Sequence, residues 1–188
     1  MFKRRTLRFY SIWILAVILL SVAGYIVSVR VQGNFYPITP GEAYRSAQPD
    51  SDNLAHYVKK YKIRSVLNLR GRHPDESWYV EEMAASAKLG LQHYDVALSA
   101  SQEPTDAEAG QLLEIFKTAP RPLLIHCQAG ADRSGLAAAM WKVVVDKDPK
   151  SVASKQLSLR YGHVPFGETQ AMDRFFERWN PGRATGKK

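Results

Sequence analysis

The stretch LLIHCQAGADRSG, residues 123–135, decides the fold of this 188-residue chain. A short apolar run ends at His126, a loop opens at Cys127, and a helical pattern follows from about Ser134. A loop between a buried strand and the start of a helix presents its backbone amides at the positive end of the helix dipole. The segment therefore predicts an anion-binding loop that opens with a cysteine.

The loop carries the groups that would hold a phosphoryl group. Six backbone amides are available for its oxygens, those of Gln128, Ala129, Gly130, Ala131, Asp132 and Arg133. Gly130 permits a backbone conformation that a side chain would disfavour, and Arg133 can return its guanidinium to two of the oxygens. The same field favours thiolate over thiol at Cys127, and Ser134 can hydrogen-bond the thiolate and help it leave.

The segment resembles the signature of the cysteine-dependent protein-tyrosine and dual-specificity phosphatases, which is His-Cys, five residues, Arg, then Ser or Thr. Four positions match it, namely His126, Cys127, Arg133 and Ser134. The likeness extends over roughly residues 35–180, and residues 44–49 and 66–71 are similar to the opening strands of small bacterial members. The resemblance implies hydrolysis of a phosphorylated protein or phospholipid through a phosphocysteine, without a metal or cofactor, with His126 orienting the loop.

Cleavage of a phosphate ester also needs a proton for the leaving oxygen. In the resembling phosphatases an aspartate supplies it, in compact members about thirty residues before the cysteine. Asp95 lies 32 residues before Cys127, just after a predicted strand, and is the first candidate. Asp132, inside the loop, is the competitor. The sequence has no Trp-Pro-Asp motif of the large tyrosine phosphatases, which leaves the acid less well marked than the nucleophile.

Three other interpretations of the cysteine remain open at this stage. A lone free cysteine is usually a buried structural residue. Sulfurtransferases of the rhodanese type also place a cysteine in an anion loop before a helix. A catalytically inactive phosphatase fold would bind phosphorylated partners without turnover. The intact pair of Cys127 and Arg133 favours an enzyme over an inactive binding module.

Strand and helix patterns alternate through the rest of the chain. Periodicity and capping residues predict helices over residues 51–61, 76–89, 105–117, 134–146, 149–161 and 167–179. Strands are predicted over residues 63–69, 91–96 and 123–126. This alternation predicts an α/β domain with a central mixed sheet flanked by helices, similar to the dual-specificity phosphatases.

An uncharged stretch near the N-terminus predicts a transmembrane helix. Residues 9–29 contain no charge, and a helix of that length spans roughly 30 Å. Lys3, Arg4, Arg5 and Arg8 precede the stretch, whereas the 20 residues after it carry two basic residues. The positive-inside rule then predicts a single-pass inner-membrane protein with a periplasmic catalytic domain. A cleaved signal peptide is the rival interpretation.

These patterns divide the chain into five segments. We expect a basic tail over residues 1–8, the transmembrane helix over 9–29, a linker over 30–43, the phosphatase domain over 44–182 and a polar tail over 183–188.

Composition excludes several other classes of protein. Hydrophobic residues make up 45% of the chain and charged residues 23%, which excludes a disordered chain. A single cysteine excludes an internal disulfide. Of the net charge of +8, five units come from residues 1–30, which hold five basic residues and no acid beside the apolar stretch. The charge is therefore only weak evidence for nucleic-acid binding, and no nucleic-acid partner is predicted. The histidines show no close metal-ligand spacing, and no metal site is predicted.

Overall fold

The computed structural model describes residues 10, 12–18, 20–21, 24–25 and 33–181. The chain divides into two units, Met1–Gln32 and Gly33–Lys188. The described residues of the first unit are helical. Of the residues described, none belong to a helix that is both long and apolar enough to cross a membrane.

Parts of the predicted segments lie outside the described residues. The predicted transmembrane span includes residues 9, 11, 19, 22–23 and 26–29, which the structure does not describe. The basic tail over 1–8, residues 30–32 of the linker and the polar tail over 183–188 also lie outside. These segments stay predictions.

The second unit is built on a five-stranded mixed sheet in the order β1-β2-β5-β3-β4. The strands are β1 Tyr36–Thr39, β2 Ala43–Ser46, β3 Ser65–Asn68, β4 Gln92–Asp95 and β5 Leu123–His126. Strand β1 runs antiparallel to β2, and the other neighbouring strands are parallel. Because β5 is central, every residue from Leu123 to His126 is buried.

Helices cover both faces of this sheet, which confirms the predicted α/β class. They are α1 Ser51–Tyr61, α2 Ser77–Lys88, α3 Asp106–Thr118, α4 Asp132–Val144, α5 Lys150–Ala153 and α6 Gln170–Arg178. Val66 and Leu124 pack with residues of α1 and α2, whereas Leu67 and Ile125 pack with α3, α4 and α6. Successive residues of a strand point to opposite faces, so one sheet divides the core into two clusters.

The helix starts agree with the capping signals. Asp50 caps α1 by accepting from the amide of Asn53 at 2.7 Å. Thr105 and Glu108 form a capping box at the start of α3, in which each side chain accepts from the other residue's amide. Helix α4 differs, because Ala131 precedes it and provides no side-chain cap.

Three predicted boundaries are corrected by the structure. Residues 33–43 of the expected linker belong to the compact unit, and β1 lies within them as an edge strand, a position where Pro37 is tolerated. The helix expected to reach Tyr161 ends at Ala153 and continues as separate 3₁₀ turns at Ser154–Gln156 and Leu159–Tyr161. The last helix begins at Gln170, after a 3₁₀ turn over Gly167–Thr169.

Candidate active site

The predicted loop begins at the carboxyl end of the parallel strands. Ser46, His126, Asn68 and Asp95 are the last residues of β2, β5, β3 and β4, and they lie in register across the sheet. Cys127 follows the central strand and is 2% exposed. Ligands of open α/β sheets bind at this edge, so the topology brings the cysteine to the expected place.

The carbonyl groups of residues 128–131 of the loop all bond to groups outside it. Gln128 O accepts from the amide of Gln48 at 3.2 Å, and Ala129 O accepts from the Nδ2 atom of Asn34 at 2.9 Å. The buried Arg45 donates through one nitrogen to the carbonyl oxygens of Gly130 at 2.8 Å and Ala131 at 3.0 Å.

The orientation of the loop amides follows from these bonds. In a trans peptide the carbonyl and the next amide point in opposite directions. The amides of residues 129–132 therefore point away from Asn34, Arg45 and Gln48. This is the inward-facing arrangement that an anion nest requires.

Gly130 is required by both conformation and space. Its φ is +70°, a region that side chains disfavour. A Cβ at this position would lie 2.6 Å from the backbone nitrogen of Ala47 and 2.7 Å from the carbonyl oxygen of Ser46. The loop can therefore pack against the end of β2 only with glycine here.

Arg45 is a buried residue that bonds to the carbonyl groups of the loop. It is fully buried, its guanidinium lies 4.2 Å from the centre of the Tyr161 ring, and it donates to Gln156 O at 2.7 Å. Burial is the largest influence on the pKa of Arg45 and lowers it to about 10. This value is still well above 7, so the guanidinium is charged at neutral pH. It therefore orients the loop carbonyls.

The last two residues of the signature, Arg133 and Ser134, lie in the first turn of α4. Arg133 donates to Leu98 O at 3.3 Å, which draws its side chain towards the segment after β4. Ser134 is buried, and its hydroxyl has no hydrogen-bond partner among the residues described. A buried hydroxyl of this kind is available to a group that occupies the loop.

A second guanidinium is connected to the loop through Gln48. Arg70 donates to Gln48 Oε1 at 3.0 Å and stacks on the ring of Trp78 at 3.4 Å. Burial, and after it the positive charge of Arg133, lowers the pKa of Arg70. The side chain of Arg70 is joined to the loop through Gln48, whose backbone amide donates to Gln128 O.

The histidine before the cysteine is fully buried, and its partner was not predicted. His126 Nε2 lies 3.0 Å from Glu82 Oε1 on α2, and its Nδ1 lies 3.4 Å from the carbonyl oxygen of Cys127. Sequence reasoning missed Glu82, because it stands 44 residues before His126 in an ordinary amphipathic helix. The only signal was a glutamate on the helix face that packs against the sheet.

Asp95 lies at the end of an edge strand, on the α2 side of the sheet. Its carboxylate accepts from Asn68 Nδ2 at 2.8 Å and from the Tyr79 hydroxyl at 2.6 Å. Burial, and after it the bond to Asp95, raises the pKa of Tyr79 to about 12. Strand β4 is two strands away from β5, roughly 10 Å between axes. No finding tests the proton-donor role of Asp95, and it stays a prediction.

Asp132, the competing acid, is tied to the C-terminal part of the domain. Its Oδ1 atom lies 2.7 Å from Nδ1 of the buried His163, whose Nε2 lies 2.9 Å from Asp173 Oδ2 on α6. Its proton-donor role is likewise untested. Across the part of the chain that the structure describes, no group of three or more histidine, cysteine or carboxylate residues could hold a metal ion.

Two curated relatives carry phosphatase names. The chain is 34% identical over 101 residues to the inositol diphosphatase SIW14 of Saccharomyces cerevisiae, which covers 50% of this chain and 34% of that protein. It is 28% identical over 141 residues to the dual specificity protein phosphatase TpbA of Pseudomonas aeruginosa, which covers 74% and 58%. The chain thus spans about a third of the first relative and somewhat over half of the second.

Solved structures of the same two proteins share the fold. The crystal structure of TpbA superposes with a TM-score of 0.65 and 22% identity, covering 81% of this chain and 89% of that one. The catalytic core of SIW14 gives a TM-score of 0.64 and 22% identity, covering 80% and 87%. At this level of identity the likeness shows the fold.

A family comparison covers most of the domain. Residues 40–173 match the sequence model of the family described as "DSP-PTPase phosphatase fused to NAD+ Kinase". The match spans the loop from Cys127 to Arg133 and every strand except β1. Because it includes well over half of the residues, the chain belongs to this family of cysteine-dependent dual-specificity and protein-tyrosine phosphatases.

Proposed function

We propose that the chain is a membrane-anchored, cysteine-dependent phosphatase that hydrolyses phosphate monoesters through a phosphocysteine. The observation that carries the proposal is the loop from Gln128 to Ala131, whose four carbonyls all bond outward. Its amides are thereby left for the oxygens of a phosphoryl group at the thiol of Cys127. Family membership supports the same chemistry.

The reaction proceeds in two steps. The thiolate of Cys127 attacks phosphorus in line, while the loop amides and the Arg133 guanidinium hold the equatorial oxygens. The leaving oxygen takes a proton from an aspartate, Asp95 in the first interpretation and Asp132 in the second. The same aspartate, now ionised, takes a proton from water as the water attacks the phosphocysteine, and the sulfur leaves as thiolate, accepting a hydrogen bond from the buried hydroxyl of Ser134.

The substrate that we propose is a phosphorylated protein of the phosphotyrosine or dual-specificity type. A relative is named as a dual specificity protein phosphatase, and TpbA has been solved in complex with phosphotyrosine. A membrane lipid phosphate such as phosphatidylglycerophosphate is the alternative within the same chemistry. It follows from the predicted anchor at residues 9–29, which would hold the loop within reach of headgroups.

One observation favours a further candidate, a small molecule that carries several phosphates. Arg70 is a second guanidinium, held by the ring of Trp78 and by Gln48, which also bonds to the loop at Gln128. A second cation suits a substrate with another anionic group besides the reacting phosphate. SIW14, the relative at 34% identity, is named as an inositol diphosphatase.

The non-enzymatic alternative is a phosphate-binding module without turnover. Both this module and an enzyme would bind phosphate in the loop, so binding does not separate them. The presence of Cys127, Arg133 and Ser134 together favours the enzyme, since a binding module needs no nucleophile.

The test compares the full chain with its Cys127→Ser variant on three classes of substrate. Phosphopeptides, phospholipid phosphates and inositol phosphates are supplied in parallel, and released phosphate is measured. We expect the wild-type chain to turn over at least one class and the serine variant to bind phosphate without turnover, because a hydroxyl ionises far less readily than a thiol. Equal turnover in the variant rules out a phosphocysteine.

A further inference from the structure

Glu82 is a buried carboxylate behind the phosphate loop, and three side chains surround it. It stands on α2 with its side chain fully inaccessible to solvent. One oxygen, Oε1, lies 2.6 Å from Nε2 of His93 and 3.0 Å from Nε2 of His126. The other oxygen, Oε2, accepts from Nε2 of Gln48. A buried charge is tolerated only with partners of this kind.

The surroundings keep Glu82 ionised. Burial is the largest single influence and opposes the charge. The nearby imidazoles outweigh it, His126 before His93, and lower the pKa of Glu82 to about 2. Two further charged groups lie beyond these partners. Asp95 Oδ2 is 3.8 Å from His93 Nδ1, and Arg70 bonds to Gln48.

Two oxygens that can only accept hydrogen bonds face the ring of His126. Its Nε2 atom faces an ionised carboxylate and its Nδ1 atom faces the carbonyl oxygen of Cys127. Neither of these oxygens can donate, so both ring nitrogens carry a proton when both contacts are hydrogen bonds. A ring protonated on both nitrogens has its positive charge next to Cys127 and its counter-charge, Glu82, on the far side of the ring.

We infer that Glu82 is a positioning residue that keeps His126 protonated behind Cys127 and thereby holds the cysteine as a thiolate. Without the carboxylate, a buried imidazolium would lack its counter-charge and would release its proton. The thiolate would then lose one of the cations that favour it. The inference rests on the proposed phosphatase function, to which it adds a residue that does not touch substrate.

The same glutamate acts on a second cation through Gln48. Gln48 donates to Glu82 and accepts from Arg70, while Trp78, one helical turn before Glu82 on α2, stacks on Arg70. Residues four apart share one helix face. One face of α2 therefore positions both Arg70 beside the loop and His126 behind the cysteine.

The test measures the ionisation of Cys127 directly, in the full chain. The sequence contains one cysteine, so the rate of alkylation by iodoacetamide reports this thiol alone. The thiolate is the reactive form, and the pH dependence of the rate gives its ionisation midpoint. The variants are Glu82→Gln, which removes the charge at constant shape, and Glu82→Asp, which retains it. Glu81→Gln, on the exposed face of the same helix, is the matched control.

We expect Glu82→Gln to move the midpoint to higher pH. A displacement of one unit lowers the alkylation rate about tenfold at a pH well below both midpoints and has little effect above them. The kcat/KM for an activated aryl phosphate should fall by the same factor at that low pH and recover as the pH rises. Glu82→Asp should restore most of the wild-type midpoint, and Glu81→Gln should match the wild type. A purely structural role would lower kcat/KM equally at every pH.

An unchanged midpoint in folded Glu82→Gln overturns the inference. Nitrogen-15 NMR of the unmodified chain provides a measurement that needs no variant to fold. Both ring nitrogens of His126 should be protonated at pH 7, and a neutral ring there also overturns it. A further outcome is that the ionisation midpoint of Cys127 depends on Glu82 in a chain that releases phosphate from no ester. In that case the proposed function fails and the positioning role of Glu82 stands.

Discussion

At the scale of single residues, three arginines near Cys127 have three different roles. Arg45 is fully buried and bonds loop carbonyls, so its contribution is to the shape of the loop. Arg133 belongs to the loop itself and follows the cysteine by six positions. Arg70 follows the end of β3, stacks on Trp78 and donates to Gln48. An arginine near the cysteine therefore does not necessarily bind the substrate.

The identity of the proton donor is also decided by single residues. If Asp95 donates, Asp95→Asn should lose on the order of 10²–10⁴ in rate with esters of poor leaving groups. The loss should shrink for aryl phosphates of low leaving-group pKa, because that oxygen departs without a proton. Asp132→Asn should show no such dependence. The measurement is a series of phenyl phosphates of rising leaving-group pKa.

A matched control comes from the segment after β4. Glu103 is the only carboxylate of residues 97–104, and it pairs with Arg174 at 3.0 Å and Arg178 at 2.6 Å on α6. Glu103→Gln should leave the dependence on leaving group as in the wild type. A slope that steepens for Asp132→Asn and not for Asp95→Asn assigns the proton to the loop aspartate.

At the scale of elements, the unit formed by β5, the loop and α4 was predictable because it is continuous in sequence. The strand ends at His126 as expected, and the helix begins two residues earlier than expected, at Asp132. The supports of the loop were not predictable, because their partners are distant in the chain. Arg45 contacts Gly130 across 85 positions, and Glu82 contacts His126 across 44.

The shortened helix after Pro149 has the same cause. Local pattern favours a helix to Tyr161, but Arg45 donates to both the carbonyl oxygen and the Oε1 atom of Gln156. The backbone at Leu157 leaves the helical region, with φ −97° and ψ 82°. A buried guanidinium needs these acceptors, so a tertiary requirement overrides local propensity.

The C-terminal elements are joined to α4 by a titratable contact. Both nitrogens of the buried His163 face carboxylates, Asp132 on α4 and Asp173 on α6. Burial is the largest single influence and lowers the pKa of His163, but the bonds to Asp132 and Asp173 outweigh it, so the net pKa is raised. The contact therefore stabilises the fold while the ring is charged.

This contact predicts a dependence of stability on pH. A raised pKa adds stability that is fully present below the unfolded value of about 6.5 and is lost as the pH rises through the folded value. We expect His163→Gln to lower the free energy of unfolding by about 1–3 kcal/mol at pH 6 and by less at pH 9. Urea unfolding of both proteins at the two pH values checks this, and a gap that widens with pH contradicts it.

At the scale of the whole molecule, the distribution of charge separates the chain into two parts. The first 30 residues hold five of the 26 basic residues and none of the 18 acidic ones. The remainder is nearly balanced, as expected for an ordinary globular domain. Most of the net charge of +8 therefore comes from residues that flank the apolar stretch, and less of it from the domain that carries Cys127.

This asymmetry predicts the orientation of the full chain. Lys3, Arg4, Arg5 and Arg8 should retain the N-terminus in the cytoplasm and export the domain after residue 30. Alkaline phosphatase fused after Lys188 in a bacterial host should therefore be active, because it folds only outside the cytoplasm. A fluorescent protein exported to the same position should be dark.

Replacing the four basic residues with glutamine should weaken this orientation, since the positive-inside rule depends on their charge. A bright fluorescent fusion beside an inactive alkaline phosphatase fusion would instead place Cys127 in the cytoplasm, and would direct the search for substrates to intracellular phosphoproteins and inner-leaflet lipids.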